Sequence, residues 1–86
     1  MLNKYKQLIK MLQEECYKVD LIDDDGEETA YISNNNSLTV TISIEDNKLY
    51  LYVEEFDTQI DNWLVISTKQ YTTVKGAYNF INKILA

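Results

Sequence analysis

Residues 37–56 constrain this chain more than any other stretch. They read Ser-Leu-Thr-Val-Thr-Ile-Ser-Ile-Glu-Asp-Asn-Lys-Leu-Tyr-Leu-Tyr-Val-Glu-Glu-Phe. Apolar and polar side chains alternate on both sides of Asp46-Asn47, which is the period of two half-buried strands. Asp and Asn tolerate the positive φ angles of a tight two-residue turn. Setting Glu45 opposite Lys48 puts Ile44 against Leu49, Ile42 against Leu51 and Val40 against Val53. Ser43, Thr41 and Thr39 then meet Tyr50, Tyr52 and Glu54. One face is aliphatic, and the other holds hydroxyls, tyrosines and acid. A slip of one residue would mix the two faces, so burial of either one specifies the parity of the register.

The aliphatic face needs a cover, and the two ends of the chain supply it. Over residues 2–18, Leu2, Tyr5, Leu8, Ile9, Leu12 and Cys16 recur at helical spacing, with Lys4, Lys6, Lys10, Gln13 and Glu14 on the other side. Cys16 reads as a buried thiol, and a lone cysteine suits a reducing compartment. Near the other end, Thr72 or Thr73 is a good N-cap. Val74, Ala77, Tyr78, Ile81, Ile84 and Leu85 form a second apolar stripe running to about Leu85. Gly76 inside that helix costs up to about 1 kcal/mol relative to Ala, and suits close packing on the sheet.

Between these helices lie further strands. Val19–Ile22 and Thr29–Ser33 read as a hairpin turning at Asp25-Gly26, which sets Leu21 opposite Ala30 and Val19 opposite Ile32. The same register sets Asp23 against Glu28 and Asp24 against Glu27. Directly opposed like charges destabilise a ladder, so its tip is expected to fray. Asn34-Asn35-Asn36 is a turn cluster. Residues 54–62 read as an acidic connection. Trp63-Leu64-Val65-Ile66 is a continuous apolar run, predicted to be a strand buried on both faces. Lys69-Gln70-Tyr71 extends that strand or turns. Strands bracketed by helices predict one α+β domain over residues 1–86: an antiparallel sheet of four to five strands with an N-terminal and a C-terminal helix. The sheet face away from the helices is expected to show Tyr50, Tyr52, Thr39, Thr41 and Glu54, with Tyr31 and Asp20.

Charge narrows the function. Twelve of the fourteen acids lie between residues 20 and 61, with only Lys48 among them, so that span carries −11 in a chain whose net charge is −6. Such a field repels nucleic acid and membrane surfaces and attracts basic partners. No histidine is present, which removes the commonest general base and every Ser-His or Cys-His pair. One cysteine without histidine gives no structural zinc site. With only Gly26 and Gly76 there is no phosphate-cradling loop. The acids around Gly26 fail the calcium-loop pattern, because its first and twelfth positions fall on Leu21 and Ile32. No apolar run reaches membrane-span length, and the N-terminus leads into no secretory signal. A non-enzymatic, cytoplasmic protein without cofactor or metal is expected.

What remains is an acid-rimmed tyrosine face. Exposed sheet tyrosines can stack bases, but phosphate binding needs Lys and Arg, and tyrosine is also enriched in protein interfaces. The candidate partner-binding residues are Asp23, Asp24, Asp25, Glu27, Glu28, Tyr50, Tyr52, Glu54, Glu55 and Asp57. A short helix leading into Tyr17-Lys18-Val19-Asp20-Leu21, an Asn-rich turn, Asn36-Ser37-Leu38-Thr39-Val40-Thr41-Ile42 and then an acidic hairpin resemble the small acidic anti-CRISPR proteins of phages. The resemblance spans roughly residues 2–56. It implies a DNA mimic whose carboxylates occupy the Lys/Arg groove of an RNA-guided nuclease of type II systems, acting in the host cytoplasm as a monomer or small homo-oligomer. The ending departs from that family, with a strand over Trp63–Thr68 before one final helix. Two alternatives stay open: a small-ligand-binding domain built from Tyr, Thr and Asn side chains, and an immunity or adaptor protein.

Overall fold

The computed structural model describes residues 2–15, 17–24, 27–34 and 37–85, with the backbone alone at 23, 24, 27 and 28. Cys16, Asp25, Gly26, Asn35 and Asn36 lie outside the described residues. The order is α1 (Leu2–Glu14), β1 (Lys18–Asp24), β2 (Glu27–Ser33), β3 (Leu38–Glu45), β4 (Lys48–Asp57), β5 (Asn62–Tyr71) and α2 (Val74–Leu85). The five strands form one antiparallel sheet in the order β1-β2-β3-β4-β5, each strand pairing with the next in sequence.

The central hairpin has the register its alternation requires: Ile44 faces Leu49, Ile42 faces Leu51 and Val40 faces Val53. Asp46 and Asn47 take φ of 49° and 60°, the left-handed pair of a twist-matched two-residue turn. The first hairpin pairs Leu21 with Ala30 and Val19 with Ile32. Its ladder does not fray: Asp23 pairs with Glu28 and Asp24 with Glu27. Backbone pairing along the ladder outweighs a cross-strand repulsion worth at most about 1 kcal/mol per pair.

One face of the sheet carries both helices. Ala30, Ile32, Val40, Ile42, Leu49 and Leu51 are fully buried there against Leu8 and Leu12 of α1 and Ala77, Ile81 and Leu85 of α2. The helices meet each other through polar contacts. Tyr17 donates to Asn82 Oδ1 at 2.6 Å, Tyr78 donates to Glu15, and Lys4 Nζ donates to the Thr72 carbonyl at 2.9 Å. Thr73 is the N-cap of α2, accepting from the Gly76 amide at 3.2 Å. A Cβ at Gly76 would stand 2.9 Å from Thr73 Oγ1 and 3.0 Å from the Tyr71 ring, so the missing side chain preserves both the cap and the packing of the helix start.

Two expectations are corrected. The stretch 54–62 is mostly strand, not connection. β4 runs to Asp57 and β5 starts at Asn62, leaving a four-residue turn in which the Gln59 amide donates to Asp57 Oδ1 and Asp61 takes φ of 53°. Trp63–Ile66 is a strand, but it is not buried on either face. β5 is an edge strand, and Trp63, Leu64, Val65 and Ile66 are 43–56% exposed. It has a neighbour on one side only, and the helices cover the sheet elsewhere. Ile66 is an extra residue opposite the Val53–Glu54 step, which bulges the edge.

Candidate functional site

Alternation puts every second strand residue on the face without helices. The register aligns these residues into rows across the sheet. Asp20, Tyr31, Thr41, Tyr52 and Thr68 form one row; Thr29, Ser43, Tyr50 and Gln70 form the next. Ser33, Thr39, Glu54 and Val65 form a third. The expected placement of Tyr31, Tyr50, Tyr52, Thr39, Thr41, Glu54 and Asp20 on this face holds.

The aromatic rings organise the face. Tyr50 and Tyr52 stack with centroids 6.4 Å apart and planes 16° from parallel. The Tyr52 hydroxyl donates to Glu45 Oε2 at 3.3 Å. Burial, then the Glu45 charge and this hydrogen bond, raise the Tyr52 pKa above the ordinary tyrosine value. Between Tyr31 and Tyr52, Thr41 is only 9% exposed, and its Oγ1 has no hydrogen-bond partner among the described residues. Farther along β4, Phe56 meets Trp63 edge to face, with centroids 5.4 Å apart and planes at 68°. Trp63 was not among the sequence-level candidates. The signal that could have found it is its place across the 58–61 turn from Phe56.

The acids do not form one surface. Antiparallel order puts the Asp24 and Glu27 ends of β1 and β2 with the 46–47 turn at one end of the sheet, and the Ser33 and Leu38 ends of β2 and β3 with the 58–61 turn at the other. Asp23, Asp24, Glu27 and Glu28 therefore share an end with Glu45 and Asp46, while Glu54, Glu55, Asp57 and Asp61 stand at the opposite end. Thr29 lies in the row of Tyr50, and Glu54 is four residues beyond Tyr50 along a strand two positions away. That separates the two groups by roughly 13 Å along the sheet and roughly 10 Å across it. The second group is divided again. Glu54 is half-buried on the open face, whereas Glu55 pairs with Leu38 on the helix side and is exposed. Asp25 lies outside the described residues, and at 23, 24, 27 and 28 only the backbone placement is given.

Two concavities flank this arrangement. A polar groove of about 270 Å³ crosses the open face, lined by Asp20, Tyr31, Ser33, Thr39, Glu54 and Trp63. A more apolar groove of about 370 Å³ lies between α1 and β1, with Tyr5, Ile9, Leu21 and Ile22 as its walls and Lys6, Lys10 and Gln13 at its lip. Among the described residues no group of three or more acids or cysteines could hold a metal ion, and no helix is long and apolar enough to cross a membrane. Compared with known families, characterised proteins and solved structures, the chain finds no match.

Proposed function

We propose that this chain is a non-enzymatic protein inhibitor that enters the basic nucleic-acid-binding groove of a host enzyme as an acidic DNA mimic. An anti-CRISPR-like phage protein acting on an RNA-guided nuclease in the host cytoplasm is the form we favour. The observation that carries the reading is a rigid, helix-free sheet face with carboxylates at both ends. Same-face residues recur roughly every 6.5 Å along a strand, so acids on this face present spaced negative charge to a groove that binds phosphates. The tyrosines between supply contact area at low entropic cost.

The test is competition. A guide-loaded nuclease of this type is bound to fluorescent target DNA, and anisotropy is followed as the protein is added. We expect DNA to be displaced, with potency falling steeply between about 0.05 and about 0.3 M salt. Equal potency at both salts, or no displacement from any DNA-binding enzyme of a host panel, would remove electrostatic mimicry.

A second reading has its own observation. The α1–β1 groove is within the usual size range of a small-ligand site, roughly 300–1,000 Å³. A small-ligand-binding domain would then use Tyr5, Ile9 and Leu21 for contact and Lys6 and Lys10 for an anionic group. Displacement of DNA that is unaffected by Lys6→Ala and Lys10→Ala separates the inhibitor from this alternative. An immunity or adaptor role differs from the first reading only in which basic protein is bound.

A further inference from the structure

We infer that the groove across the open face is a receptor for one guanidinium group, an arginine side chain of a bound protein. This deepens the inhibitor reading by naming the group its partner supplies, and rests on that reading only for the partner's identity. Six side chains line the groove, and their chemistry converges. Asp20 and Glu54 line it from β1 and β4, three strands and roughly 14 Å apart across the sheet, with Glu54 at the Trp63 end. Among the described residues neither has an ion-pair partner. Tyr31, Ser33 and Thr39 supply hydroxyl oxygens between them, and Trp63 forms one wall.

Each element suits a planar cation. A guanidinium carries five donors in a flat fork, enough to meet Glu54 and the hydroxyl of Thr39, its cross-strand partner, while Asp20 adds negative charge at the far end of the groove. Its faces stack on an indole, the best cation–π partner among side chains. A compact, strongly hydrated ammonium would use the carboxylates but gain less from the ring. An anion is excluded by the two acids, and an apolar group would strand five polar side chains. The next residue in the row of Asp20 and Tyr31 is Thr41, whose buried hydroxyl is unsatisfied among the described residues. Lys18 is the competing cation: it pairs with Ser33 two residues from Asp20 on the same face, and it is exposed.

Trp63 is the only tryptophan of the chain, so its fluorescence reports on this groove directly. The protein is titrated with acetyl-Gly-Arg-Gly-amide, and with the citrulline and lysine counterparts. The arginine peptide should give a saturable change, with the citrulline peptide at least about tenfold weaker and the lysine peptide between them. Glu54→Gln should weaken the arginine peptide about fivefold or more, and Asp20→Asn, at the far end of the groove, by less, each with an unchanged circular dichroism spectrum. Lys18→Ala should bind it as well or better. Equal binding of citrulline, a response linear up to the solubility limit, or an unaffected Glu54→Gln variant would each overturn the assignment, and lysine matching arginine would overturn its guanidinium specificity. No nuclease enters this experiment, so a peptide that binds beside a failed DNA-displacement assay would refute mimicry and leave the groove standing.

Discussion

The two faces of this sheet are built from the same strands, one residue out of phase, and they obey different rules. Leu51 is fully buried beneath the helices; Tyr52, its neighbour in β4, is half-buried on the open side. On the helix side the requirement is volume and apolarity. On the open side every row carries hydroxyls, with rings or carboxylates among them, and Thr41 even keeps a buried oxygen without a partner among the described residues. A face selected only to seal a core has no use for that arrangement. The contrast places the core on one side, and the proposed function places recognition on the other.

The sharpest test compares adjacent residues. Leu51→Ala should cost about 3 kcal/mol, within the usual range for buried leucine, whereas Tyr52→Ala should cost under about 1.5 kcal/mol. Urea midpoints of the two variants measure this, and equal losses would mean that the open face is a second core. The next effect, about 2 kcal/mol, concerns binding. Glu54→Gln, Glu55→Gln and Asp57→Asn together should weaken displacement of DNA by that amount, as should Asp23→Asn, Asp24→Asn, Glu27→Gln and Glu28→Gln together. The groups occupy opposite ends of the sheet, so combining the two sets should be additive within about 0.5 kcal/mol. The second set should leave thermal stability unchanged or raised, because it removes opposed like charges. Unfolding of either variant would make the acids structural.

Tyrosines on both sides give a third and smaller effect. Burial followed by the Glu15 charge raises the Tyr17 pKa, and the Glu15 hydrogen bond is the main cause for Tyr78; Tyr52 is raised as well. Each holds its proton more tightly when folded than when unfolded. Their contribution to stability is therefore flat below about pH 10 and falls as pH rises through the unfolded value toward the folded ones. Thermal melts from neutral pH upward should show this decline, and Tyr17→Phe, which breaks the bond to Asn82, should cost about 1 kcal/mol at neutral pH and shallow the alkaline slope. A melting temperature constant past pH 11 would contradict the shifts. The smallest effect falls where the two-face rule stops. In β5, Trp63 to Ile66 are apolar on both sides and exposed. Val65→Lys should change stability by less than about 0.5 kcal/mol, yet reduce aggregation on heating, as expected for a charge placed on a bare edge strand. Light scattering during a melt distinguishes the outcomes.

Most of the architecture was legible because alternation fixes parity. Val40 to Val53 could meet in only one way with an aliphatic face to bury, and Thr73 marked the start of α2. What could not be read was neighbourhood. The run Trp63-Leu64-Val65-Ile66 has the composition of a strand covered twice, but burial depends on how many strands lie beyond it, which no local pattern encodes. The acidic tip failed for a related reason: opposed charges argue for fraying, yet the pairing of Leu21 with Ala30 continues without a break to Asp24 and Glu27. For the site, the tyrosine face and its acids were recognisable from the register, whereas the separation of the acids into two ends follows only from strand order. Trp63 became part of the groove because the 58–61 turn is short enough to fold β5 back onto β4.

The order of the strands also shapes how the chain reaches this state. Each strand pairs with the one made just before it, so the sheet can assemble through short loop closures, the rapid kind. The helices are another matter. Lys4 finds Thr72, Glu15 finds Tyr78 and Tyr17 finds Asn82 across separations of 68, 63 and 65 residues. During synthesis, the aliphatic face stands half-roofed until the final helix leaves the ribosome. Helix α2 thus acts as a latch: its arrival covers the part of the aliphatic face that would otherwise stay sticky.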